Sequence, residues 1–423
     1  MKSLILNEQK TKRGKQVFRL YFTIFLILIL LSSPTFAFIG KTNLQGDIDL
    51  SKLPFHSKVK VYMRIMDAPS VACCVIKNNS IILAESFGYS NLYKREKATL
   101  DSIYVIGSNS KAVTSTAIMQ LCERGLIDLD DNINDYLPFN ISNPNHPDVN
   151  ITLRMLLAHQ SSICDNFGDI GYFFKYLDNR SKWIRERLSV DGELYEDRYW
   201  GDYNPGEQNH YSNIGYILVS YLVEVLSDQT FEEYCQENIF VPLKMYNTSF
   251  KKETLDYNKL ARPYYPLFSS RLFIPLPHYD IGCVAACGGL RTTVIDLSHF
   301  LIAHMNKGVW NETRILNEST VEEMHRIQYE NSSVEFYSGT IQHGLGWIHM
   351  DIYGYEWEGY NGGAVGYSCN MATRKVDNVS IILFSNGHFI RPMGPITMKI
   401  SDFRFSINAK LGNLFIEEAL KNQ

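Results

Sequence analysis

Residues 108–124 read Ser108-Asn109-Ser110-Lys111 followed by AVTSTAIMQLCER. From Lys111 onward the apolar positions Val113, Ala117, Ile118, Leu121 and Cys122 recur at helical spacing, which predicts a helix over 111–124. On a helix, residues i and i+3 are neighbours, so the amine of Lys111 stands beside the hydroxyl of Ser108. The first-turn amides and the positive end of the helix dipole then face any oxyanion that develops there. A neutral serine hydroxyl attacks carbonyls poorly, and a lysine takes its proton only where burial or a neighbouring cation lowers the amine's pKa. Ser108 and Lys111 are thus a candidate nucleophile and base that need no histidine. The spacing alone is weak: Ser-x-x-Lys is common by chance, Ser90-Asn91-Leu92 narrowly misses it, and a lone match is ordinarily a solvated helix start.

A second element, Tyr211-Ser212-Asn213, follows Pro205-Gly206 and precedes an apolar run over 214–226 that reads as a buried helix. In an extended segment residues i and i+2 point the same way, so the phenol of Tyr211 and the amide of Asn213 can both face the serine. The phenol would relay a proton to a leaving group. Read by itself, the triplet is a tyrosine on a loop and an asparagine capping the helix behind it.

Together and in this order, the two motifs resemble those of the serine β-lactamase and penicillin-binding-protein superfamily. The likeness is to its branch of class C β-lactamases, D,D-carboxypeptidases and related esterases. Tyr211 decides the branch, because class A enzymes carry serine at the first position of the triplet. The resemblance runs from about residue 70 to the C-terminus. It includes Phe87-Gly88-Tyr89, residues 121–138 (LCERGLIDLDDNINDYLP), 151–161 (ITLRMLLAHQS), 285–301 (AACGGLRTTVIDLSHFL), Gly344-Leu345-Gly346-Trp347 and 362–368 (GGAVGYS).

The resemblance implies an α+β fold of the β-lactamase/transpeptidase kind, an antiparallel sheet flanked by helices with an all-helical insertion domain. It implies Ser108 as nucleophile, Lys111 and Tyr211 sharing the proton transfers, and Asn213 orienting substrate and lysine. The amides of Ser108 and Gly363 would hold the oxyanion. A third motif, Lys-Thr-Gly or His-x-Gly on a strand lining the site, aligns with Tyr360-Asn361-Gly362, three further candidates for substrate binding. Here the chain departs from the pattern, since a phenol donates a hydrogen bond but carries no charge, and carboxylate recognition is put in doubt. Arg291 or Arg374 would be a distant substitute, though arginines ordinarily sit on the solvated surface. Two readings of the departure stay open: an esterase or amidase whose substrate lacks a carboxylate, D-amino-acid amidases included, or a weakened site kept as a binding or scaffold protein. No metal or organic cofactor is implied, and the partner is a small-molecule or peptide substrate.

Two histidines near these motifs have bland readings. His159 stands where relatives have a structural histidine at a helix end, and His210 where they commonly carry an aromatic, so both are expected to pack rather than react. Gly344 to Trp347 and Tyr367 either shape specificity or complete the core.

The wider composition agrees with a globular enzyme. The 423 residues carry 41 basic and 45 acidic side chains, and after the N-terminal segment 35 and 44 remain, a net charge of −9 that disfavours nucleic acid. Before Phe38, Lys10, Lys12, Arg13, Lys15 and Arg19 precede an apolar run over 20–31, then Ser32-Ser33-Pro34 and Ala37, the layout of a secretory signal. Extended over 17–38, the same run would serve as an uncleaved anchor tethering the chain to a membrane. Nine Asn-x-Ser/Thr sequons fit a secreted or membrane-anchored extracellular glycoprotein, although an asparagine-rich chain also produces them by accident. The eight cysteines show no metal-ligand spacing, and Cys73-Cys74 on a strand must point to opposite faces.

The organisation expected is a signal peptide or anchor over 1–37, a linker over 38–54, an α/β domain from 55–108 with 286–423, and a mainly helical insertion over 109–285. Strands are predicted over 71–77 and 81–87, joined by a turn at Asn78-Asn79, and again over 346–353, 366–372 and 380–384. Helices are predicted over 55–66, 152–159, 183–188, 214–226, 231–238 and 411–420.

Overall fold

The computed structural model describes residues 50–165, 176–267, 272–329, 334–336, 339–352, 354–387 and 395–421. Contacts gather Pro54–Pro266 and Phe273–Gln423 into one compact unit; a second comprises Met1–Leu53 and Leu267–Leu272, of which residues 50–53, 267 and 272 are described. The targeting segment expected over 1–37 lies outside the described residues. Among those described, no helix is long and apolar enough to cross a membrane.

Among the described residues, the larger unit is built on a nine-stranded antiparallel sheet drawn from two stretches far apart in the chain. β1 (Ser70–Lys77), β2 (Ser80–Asn91) and β3 (Glu96–Lys97) come first; β4 (Val334–Phe336), β5 (Gly339–His343), β6 (Ile348–Ile352), β7 (Tyr355–Ala364), β8 (Tyr367–Arg374) and β9 (Val379–Ser385) follow much later. Their order across the sheet is β4-β5-β6-β7-β8-β9-β1-β2-β3. The β1–β2 turn places Asn78 and Asn79 at φ of 51° and 59°, the doubly left-handed geometry of a tight hairpin that asparagine tolerates well. β1 is central and buried on both faces, which is why it reads as an unbroken apolar run. Ala72, Cys74 and Ile76 face one core, and Val71, Cys73 and Val75 the other, so the adjacent cysteines diverge as the pleat requires.

On one face of the sheet lie α1 (Phe55–Ile65) and the C-terminal helix, whose Leu411, Phe415, Ile416 and Ala419 pack with Val59 and Met63. On the other lie the helices between the two strand groups. α2 (Ser110–Glu123) is buried from Ser110 to Leu121, and its threonines return their hydroxyls to the helix backbone, Thr114 to Ser110 and Thr116 to Ala112. α3 (Leu153–Leu157) is capped by Thr152, α4 (Arg180–Leu188) by Asn179 and α5 (Asn213–Ser227) by Ser212, each side chain accepting a first-turn amide. α5 is apolar all round and buried from Ile214 to Val223, as a helix without a polar face must be. α6 (Phe231–Cys235) opens on a Thr230–Glu233 capping box and runs into a wider turn at Gln236–Phe240. α7 (Val294–Met305) and α8 (Glu318–His325), not foreseen as helices, complete this layer, and α9 (Pro395–Lys421) is the C-terminal helix on the other face.

Behind β7 runs a buried polar chain. Thr116 Oγ1 is 3.0 Å from His304 Nε2, His304 Nδ1 is 3.2 Å from His325 Nε2, and His325 Nδ1 bonds Glu358, which also takes Lys375 at 2.5 Å. Burial pushes the Glu358 carboxyl up, but the His325 and Lys375 bonds and the local positive charge overcome it and hold it at about 2. A carboxyl depressed in the folded state stabilises the fold above its ordinary value near 4.5 and loses that contribution as pH falls towards 2. At pH 7, E358Q is therefore expected to unfold with about 3 kcal/mol less free energy than the parent chain. Denaturant titrations should show this gap closing between pH 4.5 and about 2. A gap that stays constant with pH would rule the charge out as its source.

Candidate active site

Ser108 sits in a 3-10 turn, Gly107–Asn109, that feeds directly into α2. Gly107 adopts φ +55°, and a Cβ there would lie 2.6 Å from the amide nitrogen of Gly363, so only glycine lets the turn meet β7 this closely. Glycine is needed on the strand as well, because a Cβ on Gly362 would come within 1.8 Å of the Ile106 carbonyl oxygen. The strand edge is open for this contact. β6 pairs with β7 only as far as Gly359, whereas β8 continues to Ala364, so residues 360–364 have, among the described residues, one edge without a strand partner, and the turn packs against it.

Lys111 follows one helical turn later, fully buried, with Nζ 3.3 Å from Ser108 Oγ. Two further acceptors hold it, Asn213 Oδ1 and the Cys287 carbonyl, both at 2.7 Å. The Tyr211 hydroxyl reaches Ser108 Oγ at 2.7 Å, and Lys111 Nζ lies 4.8 Å from the Tyr211 ring centroid. Ser108, Lys111, Tyr211 and Asn213 therefore meet at one locus, although more than a hundred positions separate the two motifs. Beneath them is a residue the sequence did not single out. Asp165 accepts the backbone amides of Asn213 at 2.7 Å and Ile214 at 3.0 Å, and the Asn213 side-chain amide at 2.6 Å. It caps the start of α5 and, by binding the amide nitrogen of Asn213, turns the amide oxygen towards Lys111. Burial raises the Asp165 carboxyl, opposed by those three bonds and by the charge of Lys111.

The third motif is placed otherwise than expected. Tyr360 is 2% exposed, with Oη 3.3 Å from His159 Nε2, the histidine whose ring packs beside Tyr211. It is buried against His159 and does not face a substrate surface. Asn361 must point to the other face, since strand neighbours alternate, and there it contacts Met350 Sδ and lines a cavity with Asn370 and Asn408. Gly362 is buried against Ile106 and Asn109, serving as a spacer and not as a binding surface, while Gly363 is exposed beside the nucleophile turn.

Both arginines differ from a surface reading. Arg291 is buried and donates to the carbonyls of Phe250, Gly289 and Tyr279, and Arg374 forks onto Asp377 at 2.9 and 2.6 Å. With those bonds made, neither is directed to Ser108. His159 packs as expected, its ring centroid 4.4 Å from that of Tyr211, with burial and the nearby His343, Lys111 and His210 holding its pKa well below the usual histidine value. His210 is exposed and fills no pocket; its amide bonds the His159 carbonyl.

The chain is similar to known proteins. A family model described as Beta-lactamase matches residues 55–395. Protein flp of Staphylococcus aureus (strain N315) is 25% identical over 287 residues, 64% of this chain, and the match spans only 55% of that protein's length. Among solved structures, the octameric penicillin-binding protein homologue of Pyrococcus abyssi superposes with a TM-score of 0.64 at 25% identity, covering 85% of this chain and 78% of that one. The D-amino acid amidase of Ochrobactrum anthropi SV3 reaches 0.66 at 19% identity, covering 87% and 99%. The antiparallel sheet, the serine and lysine at the head of its central helix and a model match over most of the residues converge, and the chain belongs to the Beta-lactamase family.

Proposed function

We propose that the chain is a serine hydrolase that opens an ester or amide through an acyl-enzyme on Ser108, and that its substrate carries no carboxylate needing a counter-charge from the third motif. The observation that carries this reading is the double contact of Ser108 Oγ, 3.3 Å from an amine and 2.7 Å from a phenol. Ser108 attacks the carbonyl as its proton passes to Lys111, and the amides of Ser108 and Gly363 receive the oxyanion. Tyr211 protonates the leaving group. Water then enters, gives its proton to the Tyr211 phenolate and releases the acid, while Lys111 returns its proton to Ser108. Asn213, pinned by Asp165, holds the amine in place throughout.

The absence of a carboxylate follows from Tyr360. A neutral, buried phenol supplies no counter-charge where relatives place lysine or histidine, so uncharged esters and amides fit the site better than penicillins. The fold shared with a D-amino acid amidase supports acyl transfer on small amides. The test exposes the purified chain to an activated fluorophosphonate and to a fluorescent penicillin, with mass spectrometry of the Ser108 peptide. A fluorophosphonate adduct on Ser108 with little or no penicillin adduct is expected. Folded protein that takes up neither reagent is a scaffold, and efficient penicillin labelling removes the argument from Tyr360.

A further inference from the structure

We propose that the exposed sequon asparagines are N-glycan acceptors, and that Asn78, Asn311, Asn317 and Asn378 gather their glycans at the end of the molecule away from Ser108. The bland alternative is accident. With 31 asparagines and 52 serines and threonines in 423 residues, about four Asn-x-Ser/Thr triplets would arise by chance, and nine occur. Burial separates the two readings further. Eight of the nine asparagines lie among the described residues; seven of these are exposed and Asn247 is half-buried. Of the 18 described asparagines outside such triplets, only four are exposed. Buried members of that second set serve the fold. Asn386 Nδ2 donates to the carbonyls of Ser90 and Arg262 at 3.1 and 3.0 Å, and Asn143 Nδ2 to Ser162 Oγ and the Gly201 carbonyl, both at 2.9 Å. Asn78, Asn311, Asn317 and Asn378 instead leave free the atom that a glycan takes, since among the described residues their Nδ2 donates to no protein group.

Turn chemistry accounts for part of this pattern. Asn78, Asn311 and Asn378 adopt φ of 51°, 44° and 52°, left-handed positions that asparagine tolerates. A turn has no need of a hydroxyl two residues on, however, and Ser80, Thr313 and Ser319 make no side-chain hydrogen bond among the described residues. Asn317 stands at the head of α8, yet its side chain makes no capping bond. The four also share a location. Through the register Gly363–Ser368–Ser385–Val71, the oxyanion end of the sheet is level with the start of β1. Asn78 follows Lys77 and Asn378 precedes Val379, which pair at the other end, about 20 Å along the strand. The Asn317 amide bonds Glu123 at 2.6 Å, at the tail of the helix whose head carries Ser108, again about 20 Å away. Asn79 bonds Asn306 at 2.9 Å and Lys307 pairs with Glu318, which draws the hairpin around Asn311 to the same end. Glycans there cover turns and leave the Ser108 end open.

Transfer takes place in the lumen to which a secretory leader delivers a chain, and the donor is an oligosaccharide on a lipid pyrophosphate. The bond from the sugar C1 to the phosphate oxygen breaks, the C1–Nδ2 bond forms, and one Nδ2 proton is lost. The experiment expresses the full 423-residue chain, with its own N-terminus, in cultured mammalian cells. Protein from medium, membranes and cytosol is treated with peptide N-glycosidase in 18O-water, which turns each glycosylated asparagine into an 18O-labelled aspartate. Peptide mapping is expected to find the label on three or all four of Asn78, Asn311, Asn317 and Asn378. Ser80→Ala, which keeps the turn asparagine, is expected to lose the label at Asn78 alone. Label on two or fewer of the four overturns the proposal, as does a chain that stays unmodified in the cytosol. Label at Asn78 that survives in S80A overturns it as well, because the mark is then deamidation of an exposed turn asparagine and not a glycan.

Discussion

Ser108→Ala should leave a folded protein with no acyl-enzyme and with kcat on p-nitrophenyl butyrate reduced by about 10⁴–10⁶. The loss is this large because no second nucleophile stands at the locus among the described residues. Lys111 is held by Asn213 and Cys287, Tyr211 is a phenol whose bond goes to the serine, and the Cys287 thiol is pushed up to about 11, chiefly by burial. The fold should survive, since among the described residues the bonds from Ser108 Oγ go to Lys111 and Tyr211, and Lys111 keeps two acceptors without it. Steady-state kinetics with active-site titration checks the rate, and a thermal melt checks the fold. Turnover within about 100-fold of the parent would mean that another group carries the chemistry.

The second large effect is on stability. Gly362→Val would set a Cβ 1.8 Å from the Ile106 carbonyl oxygen and 2.5 Å from the Asn109 side-chain nitrogen. Neither can retreat cheaply: the Ile106 amide bonds Leu290, and the Asn109 amide bonds the carbonyls of Ile106 and Cys369 at 3.1 and 3.3 Å. The clash is with backbone, and a branched residue adds two more methyl groups, so the variant should lose about 3 kcal/mol or more in denaturant unfolding. Ester hydrolysis should fall with it, because the same displacement pulls Gly363 from the nucleophile turn. Gly362→Ala should lie between the two chains. A valine variant as stable as the parent would mean that β7 and the turn do not meet as described.

Much of this was legible in the sequence, and the exceptions have physical reasons. The helix behind Ser108, the Asn78-Asn79 hairpin and the double-faced β1 are local patterns, set by side-chain spacing and turn chemistry, and they stand where periodicity placed them. The likeness of the motifs carried the meeting of Ser108 with Tyr211, which no local pattern dictates. Asp165 escaped notice because its role exists only once residues 48 positions apart are folded together. Asn361 was grouped with its neighbours as a motif, yet strand alternation turns it from them, a point the pleat alone would have settled. Arg291 and Arg374 were expected at the surface from general preference, and what reverses that is a set of carbonyls and one aspartate visible only in three dimensions.

The sheet's strand order has a consequence for synthesis. β1 leaves the ribosome near the start, but one of its two neighbours, β9, is translated some three hundred positions later, and the Gly363 edge only shortly before it. A nascent chain therefore holds its serine and lysine early without the strand that would finish their surroundings. Contacts so remote in sequence close slowly. On the hydrolase reading, the growing polypeptide would harbour no competent nucleophile before those strands are in place, and the onset of ester cleavage would double as a reporter that the sheet has closed.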